Sequence, residues 1–203
     1  MGYRANFMQI VWSDKESMLS SKKIDCLWGS FSMDGRGDRY NWAGPYLTSR
    51  QVVAVSKKSD IRKLSDLADK SVACQSTTKP DEIFSSNNDP RIPRIKNLYC
   101  FPNFDQVFAS LRKSYVDAIA GHETAMISYM SSTSGEYVIL EESLAEVHLG
   151  VAFPLTNDTD IPSRLTATLA EMASDGTTVK IIAKYNLSAD RVCNPYEYGG
   201  VAR

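Results

Sequence analysis

The 203-residue sequence has no apolar run approaching 18 residues, so no stretch reads as a membrane-spanning helix. It has no CxxC pair and no Cys/His cluster. Cys26, Cys74, Cys100 and Cys193 are widely spaced, and with only two histidines no metal set is expected. Three of these cysteines lie in apolar runs, where a free thiol behaves as a small buried hydrophobe, and the spacing argues for no disulfide. The 23 basic and 24 acidic residues leave a net charge of −1, which removes the electrostatic case for nucleic acid or an anionic membrane surface. Repeats and low-complexity segments are lacking. Met1-Gly2-Tyr3-Arg4 opens without the apolar core of a signal peptide, so the expectation is either a cytosolic protein or a processed or cut fragment. What remains, 43% hydrophobic and 23% charged residues, is an ordinary globular composition with room for one large domain or two small lobes.

The segment Ile24–Tyr46 organises the chain. Ile24 to Trp28 is apolar, bounded by Lys22-Lys23 and Gly29, and predicts a short buried strand with Trp28 in the core. Gly29, Ser30 and Ser32 follow, then the turn signal Asp34-Gly35 with Arg36 behind it. Small hydroxyl residues and a planar guanidinium at a strand end suit a carboxylate, and they equally suit a plain surface turn.

Strands are predicted at 6–12, 50–56, 71–74, 97–101, 115–120, 137–140 and 147–153. Helices are predicted at 13–21, 61–67, from about 81, 104–114, 125–130, after Asp160 to Gly176, and 178–185. Phe104, Val107, Phe108 and Leu111 give the clearest amphipathic stripe. This alternation predicts an α/β fold with mostly parallel sheets, in which ligands sit at the carboxyl ends of strands. Three polar clusters fall there: the one after Trp28, Gln75 to Lys79 with Thr77 and Thr78 at a helix start, and Gly121-His122-Glu123-Thr124. Thr78 is equally readable as a helix cap.

At these residues the chain resembles a known family, the amino-acid-binding branch of bacterial extracellular solute-binding proteins. Leu19 to Asp25 (LSSKKID) is similar to its L-x-x-G-K-hydrophobic-D. Ser32 to Arg36 with Trp42 to Tyr46 is similar to T-x-T-x-x-R…F-S-x-P-Y. Leu64 to Leu67 with Val72 to Thr78 is similar to L-x-D-L-x-G-k-x-V-g-v-q-x-G-T. Leu111 to Ala118 is similar to L-x-x-G-r-v-D-A. The four motifs run in register over nearly the whole chain.

The resemblance implies a two-lobed, type II periplasmic-binding-protein-like fold closing on a small ligand. Lobe 1 would hold 1–52 and 152–203, lobe 2 would hold 56–149, and the crossovers would lie near 52–55 and 150–153. It implies that Trp12 covers the ligand side chain and that Arg36 grips an α-carboxylate. Gly29, Ser30 and Ser32 would hold carboxylate and amine, and Thr77 and Thr78 would donate from a helix start. Three departures stand out. His122, with Glu123 beside it, occupies the place of the family's amine-binding Asp. Asp34 would repel an anionic ligand unless it turns away or pairs with Arg36 or Arg39. The family's opening strand and helix are missing, so lobe 1 is expected to be incomplete, or completed by the Tyr196–Gly200 tail or another chain.

The implied function is extracellular or periplasmic capture of a small polar solute, an amino acid foremost, for the permease of an ABC importer. The full-length protein would be tethered at the membrane surface. The alternative output is a ligand-sensing domain of a membrane-bound kinase or cyclase. A cyclohexadienyl-dehydratase-like enzyme is a third reading, with Glu123 as acid and His122 assisting. No catalytic set, cofactor or metal is expected.

Overall fold

Val52, Val53, Ala54 and Val55 are all fully buried, and their side chains alternate between two hydrophobic clusters. Val53 and Val55 join Val72, Cys74, Ala118 and Ala120 on one face. Val52 and Ala54 join Ala73 and Ile119 on the other. This two-residue period across neighbouring strands is what a sheet covered on both faces requires.

The computed structural model describes residues 1–131, 133 and 135–198. Its strands are β1 (Leu27–Ser32), β2 (Asn41–Ser56), β3 (Ser71–Gln75), β4 (Asn97–Phe101), β5 (Ala118–His122), β6 (Tyr137–Ile139) and β7 (Ala145–Phe153). Its helices are α1 (Lys15–Ser20), α2 (Lys79–Ser86), α3 (Phe104–Arg112), α4 (Glu123–Ser131), α5 (Ile161–Ser174) and α6 (Thr177–Ala183), with short 3-10 turns at Trp12–Asp14, Leu64–Leu67 and Ala189–Arg191. The residues divide into two units. The first comprises Met1–Ile10, Asp14–Ser49 and the chain from Val147 on; the second comprises Val11–Ser13 and Arg50–Glu146.

In the second unit, β3 pairs in parallel with both β4 and β5. The β2 strand pairs antiparallel with β5 and β6. The sheet is therefore mixed, not mostly parallel. Parallel pairing arises where a helix provides the crossover, along β3–α2–β4–α3–β5. One face of the sheet carries Ile61, Leu64, Leu67, Phe84, Ile92, Leu140 and Leu144. Val107, Phe108 and Leu111 of α3 cover the other, as the amphipathic stripe predicts.

Gly121 shows how closely this second face is packed. A Cβ there would stand 2.5 Å from Phe104 Cε2 and 3.1 Å from Met126 Cε. Phe104 in turn meets Phe108 edge to face at 4.8 Å, so its ring has little room to yield. Gly121→Val is expected to lower stability by about 1–3 kcal/mol, read as a lower urea midpoint at unchanged slope.

In the first unit, β1 pairs antiparallel with β7, Leu27 opposite Ala152 and Phe31 opposite Gly150. Between these pairs Trp28, Gly29 and Ser30 stand against Val151 alone, and Ser30 takes a left-handed φ of 57° in the resulting bulge. Helix α5 packs Leu165 and Leu169 against Ala43, Val151 and Phe153.

Three sequence expectations are corrected here. The apolar run Asn6–Trp12 forms no strand, and Phe7 is 90% exposed. It does not alternate, and no described strand offers it a ladder. The strand expected at Ile24–Trp28 begins instead at Leu27 and runs through the small residues to Ser32, so Gly29 to Ser32 lie within β1 and not beyond its end. Trp28 is 53% exposed and meets Tyr46 at 6.3 Å between ring centroids, so it is no core residue. The described part of the tail packs on the first unit: the Cys193 amide donates to the Tyr46 carbonyl at 3.1 Å, and Tyr198 reaches His148. Gly199 and Gly200, part of the tail expected to complete that lobe, lie outside the described residues.

Candidate functional site

Strands β3 and β5 run in parallel with Val72 opposite Ala118 and Ala73 opposite Ile119. Their carboxyl ends are therefore neighbours. Ser76, Thr77 and Thr78 follow one strand, and His122-Glu123 closes the other and opens α4. Four expected site residues of the second unit are brought to one sheet edge. The cluster after Trp28 lies within β1 of the first unit.

Thr77 has φ 59°, a conformation that costs a β-branched residue strain. Its amide donates to Asp81 Oδ2 at 2.8 Å. Thr78 is the N-cap residue of α2, but its side chain does not cap. Its hydroxyl donates back to the Gln75 carbonyl at 2.6 Å, fixing the turn. Helix α2 also carries Asp81 and Glu82 in its first turn, where they take up much of the dipole's attraction for an anion. Thr77→Gly removes about 1–2 kcal/mol of left-handed strain and adds about 0.4–1 kcal/mol of unfolded-chain freedom. A net gain of about 0.5–1 kcal/mol in urea denaturation is expected.

His122 Nδ1 lies 2.9 Å from Thr124 Oγ1. Glu123 is 4% exposed, and Arg50 grips its Oε1 through Nε at 3.0 Å and through Nη2. The Glu123 hydrogen bond is the largest influence holding the Arg50 guanidinium above its ordinary pKa, and burial opposes it. Arg50 also donates to the Glu141 carbonyl at 3.4 Å. Sequence reading missed Arg50. The available signal was a cation just before the apolar run Val52–Val55, and the β2–β5 register, with Gln51 opposite His122, sets it beside Glu123.

In the first unit, Arg36 is 4% exposed and donates from Nη1 to Ser32 Oγ at 2.6 Å and to the Ser32 carbonyl at 3.2 Å. Its guanidinium lies 5.1 Å from the Phe31 ring centroid. Trp42 Nε1 donates to the Arg36 carbonyl at 3.0 Å, holding the turn from behind. Ser32 and Arg36 are thus one assembly. Gly29 and Ser30 sit exposed in the β1 bulge. Trp12 is half-buried at the start of a 3-10 turn and is grouped with the second unit.

Asp34 pairs with neither arginine. Its Oδ2 accepts from the His148 amide at 2.6 Å, and its Oδ1 lies 3.0 Å from His148 Nδ1. Tyr198 Oη lies 2.9 Å from the same nitrogen, and burial, with Asp34 next in effect, holds the Tyr198 phenol above its ordinary pKa. The carboxylate is thereby directed into β7. A separate cavity of about 330 Å³ in the first unit is lined by Trp42, Pro162, Thr166 and Tyr196 among others, and includes none of the expected site residues.

The whole of residues 1–188 matches the family model of bacterial extracellular solute-binding proteins, family 3. The chain belongs to this family. It is 23% identical over 186 residues to the L-cystine-binding protein TcyA of Bacillus subtilis, covering 91% of this chain and 67% of that protein. It is 23% identical over 185 residues to the glutamate-binding protein GluB of Corynebacterium efficiens, covering 88% of this chain and 61% of that one. Among solved structures, it is similar to an ABC uptake transporter substrate-binding protein from Streptococcus pneumoniae with bound histidine. That match has a TM-score of 0.79 and 20% identity, and covers 89% of this chain and 75% of the other. The fold is the type II periplasmic-binding-protein-like fold that the motifs imply. The chain spans 61–67% of the length of these two curated family members. Among the described residues, no helix is long and apolar enough to cross a membrane.

Proposed function

We propose that the chain is the solute-capturing part of an extracellular or periplasmic receptor for an amino acid. The observation that carries this reading is the buried Arg36, whose guanidinium is pinned by Ser32 and backed by Phe31. An arginine held in one rotamer has already lost the side-chain freedom that binding would otherwise remove, so it suits a bidentate grip on an α-carboxylate. The resemblance of Ser32 to Arg36 to the family's T-x-T-x-x-R segment, one residue shorter here, supports that role. Family membership and the ligands named for the relatives, cystine, glutamate and histidine, support an amino-acid head group.

Gly29, Ser30 and Ser32 assist Arg36 from β1, and Trp12 covers the ligand side chain. In the second unit, the ligand contacts are assigned to Thr77, Thr78, His122 and Glu123. Glu123 acts as the anionic half of its pair with Arg50, which places the local charge at the start of α4. The division into two units is that of the family's two lobes. The receptor is tethered outside the membrane and delivers its solute to the permease of an ABC importer, without turning it over.

Equilibrium dialysis of the folded chain against a mixture of the common L-amino acids tests this reading. Enrichment of one or a few of them, toward one ligand per chain, is expected. No enrichment of any amino acid by a chain shown to be folded would remove it.

A further inference from the structure

Cys74 and Cys100 stand directly opposite each other on the parallel pair β3 and β4. Their sulfurs are 3.8 Å apart. Cys100 Sγ is 3.4 Å from Asp81 Oδ1, and the three donor atoms lie within 4.8 Å of one another. Zinc–sulfur bonds of about 2.3 Å and zinc–oxygen bonds of about 2.0–2.2 Å at tetrahedral angles separate two sulfurs by about 3.8 Å, and a sulfur from an oxygen by about 3.5 Å. Two edges of the observed triangle match these values.

The carboxylate decides between a metal and a disulfide. A carboxylate oxygen 3.4 Å from one sulfur is a third ligand for a divalent cation and has no part in a disulfide. Asp81 is also held as outer-sphere contacts hold a metal-binding carboxylate: Thr77 N–H donates to Oδ2 at 2.8 Å, and Ser85 Oγ donates to Oδ1 at 3.1 Å. Cys74 is buried and Cys100 exposed, so one side of the triangle is walled and the other open to solvent.

We propose that Cys74, Asp81 and Cys100 bind a thiophilic divalent cation of the zinc class, with solvent in the fourth position. Binding displaces the two thiol protons to buffer and changes no oxidation state. The spacing of these residues along the chain hides the site, which exists through strand register. It does not depend on the solute-binding reading.

The test uses the full chain, reduced, stripped with chelator and titrated with Zn²⁺ by calorimetry, with Co²⁺ as the optical probe. One equivalent per chain is expected, with thiolate-to-cobalt charge-transfer absorption. Cys100→Ser changes an exposed residue, so its fold is preserved; it should weaken Zn²⁺ binding by more than about 100-fold and abolish the charge-transfer band. Cys74→Ala should do the same. Ser85→Ala should weaken binding by about 10-fold. The double variant Cys26→Ser/Cys193→Ser should bind as the parent does. The proposal is overturned if the reduced chain takes up no Zn²⁺, or if uptake survives Cys100→Ser, or if uptake follows Cys26 and Cys193 instead.

Discussion

Replacing Arg50 with alanine should lower the stability of the chain by about 2–4 kcal/mol. Glu123 is 4% exposed, and Arg50 holds its Oε1 through two guanidinium nitrogens. Without Arg50, a carboxylate stays in a desolvated place with its counter-charge removed, and removal of one partner from a buried pair costs about 3–5 kcal/mol. The Arg50 side chain is 33% exposed, so solvent screens part of the interaction and the lower range applies. Glu123→Gln keeps an acceptor and removes the charge, so a smaller loss of about 1 kcal/mol is expected. The double replacement Arg50→Met/Glu123→Met should recover most of the loss, because two well-packed apolar chains replace a desolvated pair. Chemical denaturation of the three variants measures this. A loss below about 0.5 kcal/mol for Arg50→Ala would place the pair among ordinary surface ion pairs.

The second large effect concerns affinity. Arg36→Ala should weaken amino-acid binding by at least about 100-fold, close to 2.7 kcal/mol, the scale of one bidentate charge-assisted contact. Arg36→Lys keeps the charge but replaces a planar fork by a point donor, so an intermediate loss of about 10-fold is expected. Ser32→Ala removes the 2.6 Å strut and leaves the guanidinium, which should cost affinity less than either. The melting temperature of each variant without ligand separates affinity from stability. Equal affinity for the parent and Arg36→Ala would remove Arg36 from the site.

The family, and the elements β3, α2 and α3, were legible in the sequence because their signals are local. Phe104, Val107, Phe108 and Leu111 recur at helical spacing, and Val107, Phe108 and Leu111 pack on one sheet face as read. Val72 to Gln75 followed by Thr77 and Thr78 announces a strand, a turn and a helix start, and the structure has all three. Legibility failed where a residue's state depends on a distant partner. Asn6–Trp12 carries a strand-like composition but has no ladder among the described strands. The β1 boundary moved because Leu27 to Ser32 pairs with β7 across a bulge, and local apolarity cannot report a bulge. Asp34 read as a hazard to an anionic ligand until His148, 114 positions away, was placed against it. Arg50–Glu123 and Cys74–Cys100 are likewise products of register: each pair joins two strands or a strand and the helix after its neighbour, and neither has a short-range signature.

The central claim is that this chain binds an amino acid by its head group. Thermal unfolding of the folded chain, with and without each common L-amino acid, tests it most directly. At about one hundred times its dissociation constant, a ligand that binds only the folded state adds about 2.7 kcal/mol. For a chain of this size that raises the midpoint by roughly 5–11 °C. One or a few amino acids should give such a rise, and Arg36→Ala should lose it. If none moves the midpoint at any concentration up to saturation, the chain does not recognise the α-amino-acid head group and the account is contradicted.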